Sequence, residues 1–385
     1  MRTTGFIIFF SIVIVLYALI NYYIFRRGLQ AIPRDSVIRT LYILFFLFIS
    51  SAYLIGRILE RYFHTSTTEM LVKVGSFWLA GMIYFLLIVL MLDLLRLINH
   101  FVPIIPAIIK NKYEIIKKYI AFISIITVFI TIFYGYLNAL NPRLKTLELH
   151  IPKYVDGIKN LRIVMISDIH LGTIIGRERF SKIVDIINSQ QPDLILIAGD
   201  LVDESLGPIV NDNIGRCVER LNSKYGVYAI TGNHEFIGGA EPVVNYFQSH
   251  GIKFLRDTMV VVDNKIILVG REDRVKSRFT GVERMPMEKI LKDVSNEKPI
   301  ILLDHQPVNL DEALNNGVDL QLSGHTHHGQ IFPFNLITKR IYEVSWGHKR
   351  KGSMHIYVSS GVGTWGPPVR IGNHPEIVQI NLKFN

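Results

Sequence analysis

Four stretches in the first third of the chain are apolar almost without a break, and charged residues bound each of them. Residues 5–25 form a run of about 20, the length that crosses a hydrocarbon core as a helix. Residues 40–56 are uncharged and somewhat short, and Val37 and Ile38 extend them past Arg39, whose side chain is long enough to snorkel. Residues 74–92 and 119–140 complete four spans. Residues 98–109 are apolar as well, but Pro103 and Pro106 break them, which predicts an interfacial or re-entrant piece. No small-residue cleavage site follows the first run, so it reads as a retained span and not as a signal peptide.

Beyond Asn141–Pro142 the period changes. Short β-branched runs at 161–167, 193–198, 226–230, 266–269, 300–303, 320–322, 354–359 and 377–382 predict strands. Amphipathic stretches at 179–189, 209–223 and 241–250 predict helices. A run as continuously apolar as Leu194–Ile197 belongs to a sheet covered on both faces, and strand–helix–strand spacing predicts crossover connections. The chain therefore divides into a four-helix membrane region at 1–142, a linker at 143–160 holding Pro152 and Gly157, and an α/β domain at 161–385.

Charge follows the same division. The 385 residues carry 42 Lys+Arg against 32 Asp+Glu, a net of +10 that would suit a nucleic-acid partner. Residues 1–145 hold 15 basic and 5 acidic side chains, however, and residues 146–385 hold 27 of each. The surplus thus flanks the spans, and no nucleic-acid partner is expected. Eight basic residues (Arg26, Arg27, Arg34, Arg96, Lys110, Lys112, Lys117 and Lys118) fall in the loops on one face, against four (Arg2, Arg57, Arg61 and Lys73) on the other. The positive-inside rule then puts those loops in the cytoplasm and the α/β domain outside it. Asp93, at the end of the third span, has Arg96 three residues on and reads as an i,i+3 pair. Cys217 is the single cysteine, which excludes an intrachain disulfide and a thiolate zinc cluster.

Metal-capable residues gather where the predicted strands end. Strand 161–167 runs into Asp168 and His170, 193–198 into Asp200, 226–230 into Asn233 and His234, 300–303 into His305, and 320–322 into His325 and His327. Parallel strands bring such ends to one edge of an α/β sheet. Carboxylate, amide and imidazole donors suit divalent Mn, Fe or Zn. Gly199, Gly232 and Gly324 beside them let the backbone come close to an ion.

In order, these pieces read Asp168-Ile169-His170, Gly199-Asp200, Gly232-Asn233-His234-Glu235, His305 and Gly324-His325-Thr326-His327. The set resembles the signature of the calcineurin-like metallophosphoesterases. Gly199–Asp203, His305-Gln306-Pro307, Ser323–Gln330 and the tail Gly363–Arg370 are similar to the membrane-attached bacterial branch and to transmembrane proteins with a metallophosphoesterase domain. The resemblance implies a two-sheet sandwich flanked by helices and a pair of divalent ions. Asp168, His170, Asp200 and His327 would hold one ion, and Asp200, Asn233, His305 and His325 the other, with Asp200 shared. His234 would contact the phosphoryl oxygens or protonate the leaving group, and Arg370 would be a phosphate contact or else an ordinary structural or surface arginine. His328, where the branch has glycine, would be a surface imidazole, or would narrow the mouth of the site or contact the substrate. The implied reaction is hydrolysis of a phosphoester or pyrophosphate by a hydroxide bridging the ions, without a protein nucleophile. Membrane lipids are expected partners and a lipid-linked or cell-envelope phosphoester the expected substrate. The alternative is a catalytically silent scaffold or sensor on the same fold.

Overall fold

The structure, a computed structural model, describes residues 2–106, 111–292 and 294–385, and the chain forms two compact units, Met1–Tyr136 and Leu137–Asn385. The first unit is made of α1 (Arg2–Leu29), α2 (Val37–Glu60), α3 (Ser66–Phe101) and the greater part of α4 (Tyr113–Ala139). All four are long and apolar enough to cross a membrane. Ser36 caps α2, and Thr65 and Thr68 form a reciprocal capping box at the start of α3, so these helices begin where the polar punctuation falls. Of the expected interfacial piece, Ile98 to Phe101 continue α3, residues 102–106 leave the helix, and 107–109 lie outside the described residues. Asp93 pairs with Arg96 at 2.9 Å as its spacing predicts, and also with Tyr23 and Arg27 of α1.

The second unit is a sandwich of two six-stranded sheets. One sheet has the order β1 (Arg143–Ile151), β12 (Glu376–Phe384), β2 (Asn160–Ile166), β3 (Leu194–Ile197), β4 (Val227–Ala229), β5 (Ile252–Phe254). The other has β10 (Gly347–Lys351), β11 (Met354–Val358), β9 (Leu320–Ser323), β8 (Ile300–Leu303), β7 (Ile266–Gly270), β6 (Thr258–Val262). Strands β2 to β5 are parallel, as are β7, β8, β9 and β11, so the strand ends that carry the motifs share an edge in each sheet. Alternate residues of β3 explain its unbroken apolarity: Leu194 and Leu196 join the core between the sheets, and Ile195 and Ile197 join the core beneath the helices. Phe180, Ile183, Val184 and Ile187 of α5 (Arg177–Ser189) line that outer core at helical spacing.

Two local expectations are corrected. The segment expected as a linker contains β1, which pairs in parallel with the C-terminal strand from Arg143↔Glu376 to Ile151↔Phe384. Its alternation of Leu147, Leu149 and Ile151 with Glu148 and His150 is that of a half-buried strand. The helix expected over 209–223 is two short turns, Gly207–Asn211 and Gly215–Val218, parted at Asn213, whose φ of 55° ends a helix.

Candidate metal centre

The ligand-type residues leave their strands in conformations that most side chains avoid. Asp168, His170, Asp200, His325 and His327 all have left-handed backbones, with φ of 51°, 53°, 51°, 70° and 45°. Each such conformation costs about 1–3 kcal/mol and persists only where the surroundings over-determine it. Here the surroundings are the side chains of neighbouring motifs. Asp168 Oδ1 accepts from the backbone N–H of His325 at 2.8 Å, and Asp200 Oδ1 from that of His234 at 3.0 Å. Gly232 and Gly324 permit this closeness, since a Cβ would stand 2.1 Å from Asp200 Oδ1 at the first and 2.3 Å from Asp168 Oδ2 at the second.

Three sets of donor atoms converge. Asp168, His170 and His327 form one, with His170 Nε2 facing His327 Nε2 at 3.0 Å and His327 Nε2 at 3.5 Å from Asp168 Oδ1. Asp200, His305 and His325 form the second, with His305 Nε2 3.1 Å from Asp200 Oδ2. The same Oδ2 is 3.8 Å from His170 Nε2, so one carboxylate oxygen lies between the first two sets. His170, Asp203 and His234 form the third. His305 donates through Nδ1 to the carbonyl of Ala198 at 2.7 Å, which directs Nε2 at the cluster. Nearby, the Asn233 Oδ1 atom is buried without a hydrogen-bond partner among the described residues.

Burial and crowding set the protonation pattern. Burial, with the neighbouring Asp200 charge, pushes the Asp168 carboxyl up to about 6. Burial also takes His170 down to about 3 and His325 to about 4, and holds His327 well below the usual imidazole range. These three rings are therefore neutral near pH 7, as ligation requires. His305 goes the other way: burial opposes its charge, but Asp200 and Asp168 outweigh burial and hold it well above the usual range. Asp200 is correspondingly held well below the carboxylate range, because His305 and His234 overcome its burial.

A sequence model of the calcineurin-like phosphoesterases matches residues 161–329. An uncharacterized metallophosphoesterase of Campylobacter jejuni is 31% identical over 98% of this chain and 99% of its own length. The chain belongs to the calcineurin-like metallophosphoesterases. A zebrafish (Danio rerio) transmembrane protein with a metallophosphoesterase domain is 35% identical over 65% of this chain and 60% of its own. A Helicobacter pylori metallophosphoesterase is 35% identical over 60% and 62%. Together with the four apolar helices, these matches make the chain a membrane metallophosphoesterase.

The donor set fits the divalent ions of this family. Facing imidazole nitrogens, a carboxylate oxygen between two donor sets and a buried Asn233 Oδ1 without a partner among the described residues are what a cation would complete.

The tail residues take other places than the sequence suggests. Arg370, expected at the substrate, is fully buried, and its guanidinium donates to the carbonyls of Gly361, Gly363 and His327 and lies 3.3 Å from His327 Nδ1. It braces the loop beneath His327, one of the candidate metal-binding histidines. The last residues of α4 enter this network: Asn138 Nδ2 donates to the carbonyls of Arg370 and Asn373 at 2.8 Å each. His328 is buried too, 3.3 Å from Ser345 Oγ and with its ring against Trp346, so it is not a surface imidazole. Cys217 is buried within its short helix, away from the cluster.

Three residues escaped the sequence reading of roles. Glu235 is wholly buried and accepts from the backbone N–H groups of Asp200, Val202 and Gly232, stitching two motifs together. Burial and Asp200 push its carboxyl up to about 7. Its position three residues after Gly232, at the start of the short helix Asn233–Gly238, is the capping-box spacing that could have found it. The carbonyl of Asp203 is hydrogen-bonded to His234 Nδ1. Trp365, 54% exposed, has its ring 6.0 Å from that of His234.

Proposed function

We propose that this protein is a membrane-anchored, two-metal phosphoester hydrolase acting on a lipid-linked or cell-envelope phosphoester or pyrophosphate. The observation that carries the hydrolase reading is Asp200 Oδ2 between two sets of donor atoms, 3.1 Å from His305 Nε2 and 3.8 Å from His170 Nε2. In this reading Asp168, His170, Asp200 and His327 hold one ion and Asp200, Asn233, His305 and His325 the other. When bound, the ions supply positive charge for the phosphoryl oxygens and make water more acidic.

The remaining chemistry falls to the chain. His234 has Nδ1 turned to the Asp203 carbonyl, which leaves Nε2 for the substrate. Burial disfavours its charge, but Asp200 and Asp203 outweigh burial and raise its pKa, so the ring carries a proton to give the departing oxygen. Glu235 and Arg370 keep the motif loops in their left-handed turns. Trp365 stands beside His234 as an apolar wall for the group attached to the phosphate.

The substrate class is supported by attachment. Asn138 and Ala139, the end of the fourth apolar helix, are hydrogen-bonded to the backbone of Arg370 and to Arg179. A site tethered to a span meets lipid-borne esters at high effective concentration. The charge count of the loops supports an extracytoplasmic domain. The test is reconstitution of the full chain in vesicles of native lipid extract, with identification of the phosphate compound released. A product from a lipid-linked ester, turned over faster than a soluble ester of the same group, is expected. Equal rates on both would remove the lipid-linked assignment, and bound metal without any turnover would favour the silent scaffold.

A further inference from the structure

The membrane unit contains a second constellation that phosphoester hydrolysis does not use. An apolar cavity of about 360 Å³ lies among its helices, walled by Ile24, Phe46, Trp78, Phe85 and Leu92. Its walls are built in advance: Phe46 meets Trp78 edge-on with ring centroids 5.1 Å apart, and the indole N–H donates to Asn21 Oδ1 at 2.9 Å. At one end the lining turns polar, with Arg27, Asp93 and Arg96. Gln30, Tyr113 and Lys117 belong both to this lining and to that of a cavity of about 610 Å³ whose walls include Arg26, Arg34 and Arg39. A greasy chamber and a basic chamber thus share a wall, and both are of ligand-pocket size.

Charge identifies the occupant. Among the described residues, the two linings hold six cations (Arg26, Arg27, Arg34, Arg39, Arg96 and Lys117) and two carboxylates, Asp93 and Glu114. Asp93 is divided between Arg27 and Arg96, so one negative charge answers two guanidiniums. Glu114 pairs with Lys117 at 2.6 Å through a side chain that is 78% exposed, so six cations face two carboxylates and the linings keep a positive surplus. Guanidinium groups bind phosphate with a matching fork of donors, and basic pockets between spans take anionic head groups. An inorganic anion would fill the basic chamber alone; only an amphiphile fills both.

We infer that the membrane unit holds one anionic glycerophospholipid, with its phosphate against Arg96 and Lys117 and an acyl chain between Phe46, Trp78 and Phe85. None of these residues belongs to the Asp/His cluster, so this lipid is a resident ligand and not the ester hydrolysed. The inference is independent of the proposed activity. It is tested on the full chain purified in detergent, by native mass spectrometry of retained lipid after exposure to equal phosphatidylglycerol and phosphatidylcholine, with and without inorganic phosphate. Wild type should keep one phosphatidylglycerol, undisplaced by phosphate. The double variant Arg96→Gln/Lys117→Gln removes two of the six cations, and Ala121→Phe, at a residue that also lines the apolar chamber, fills it without touching charge. Each should lower retention at least tenfold while helical circular dichroism is unchanged. Equal retention of the two lipids, displacement by phosphate alone, or undiminished retention in the Ala121→Phe protein would overturn it.

Discussion

In the membrane unit Leu41, Phe122 and Phe129 expose 60%, 62% and 66% of their surfaces, whereas in the second unit Ile163, Leu196 and Leu302 expose none. The same residue types are turned outward to hydrocarbon in one unit and inward to a core in the other, where each buried side chain is worth about 1.5–3 kcal/mol. Ionised groups differ in the same way. Asp93 meets Tyr23, Arg27 and Arg96, so the carboxylate is fully answered and the two guanidiniums keep a surplus of positive charge. At the strand ends of the second unit, by contrast, Asn233 Oδ1 is buried without a hydrogen-bond partner among the described residues, and the neutral rings of His170 and His327 face each other. A cluster whose single carboxylate is shared by two guanidiniums ties helices together and keeps positive charge for an anion. One whose oxygen and nitrogen donor atoms converge without a partner is made for a cation.

That contrast can be tested one residue at a time. The largest effect is expected from Asp200→Asn, which weakens both donor sets at once: turnover of a bis-aryl phosphodiester should fall about 10³-fold or more, while the spans fold as before. Asp93→Asn should leave that turnover unchanged. If both variants lose activity alike, the clusters do not differ in kind.

Next comes Glu235→Gln, which turns one acceptor of three backbone N–H groups into a donor. An unsatisfied buried group costs about 1–3 kcal/mol, so the melting temperature of the second unit should drop measurably by calorimetry. An unchanged melting profile would mean that the motifs are not stitched through this carboxyl.

A smaller, graded effect concerns protons. Asp200 and Asp168 hold the His305 imidazole well above its usual range, and burial pushes the Asp168 carboxyl up to about 6. Ion uptake near pH 7 must expel the His305 proton, so affinity rises with pH, by about tenfold per unit for each proton released. Calorimetric titration in buffers of different ionisation enthalpy counts those protons, and none released would contradict the assignment of His305 as a ligand.

The smallest effect belongs to the membrane cluster. Asp93→Asn should destabilise the helix bundle by only about 1 kcal/mol, because interhelical polar contacts in lipid average less than that.

Much of this architecture is written plainly in the chain. The spans are legible because bilayer thickness demands long apolar runs, and the candidate metal-binding residues because each follows an apolar strand. What stayed hidden depended on partners distant in sequence. The β1 strand needed its mate at residues 376–384, more than 200 residues on, before its alternation became an edge of the sheet. Arg370 looked like a phosphate contact until the carbonyls of Gly361, Gly363 and His327 closed around it. His328 was hidden by packing against Trp346 and Ser345, and Asp93 by the arrival of α1. Local spacing reports what a residue can do, and only the fold reports which of those things its neighbours allow.

The central claim is that Asp200 joins two ion sites. Its most direct test is the metal content of the purified full chain after manganese loading, measured by mass spectrometry in wild type, Asn233→Ala and Asp200→Ala. Two ions per chain in wild type, one in Asn233→Ala and neither tightly held in Asp200→Ala are predicted. A wild type that binds no metal, or an Asp200→Ala protein that keeps both ions, would contradict the account.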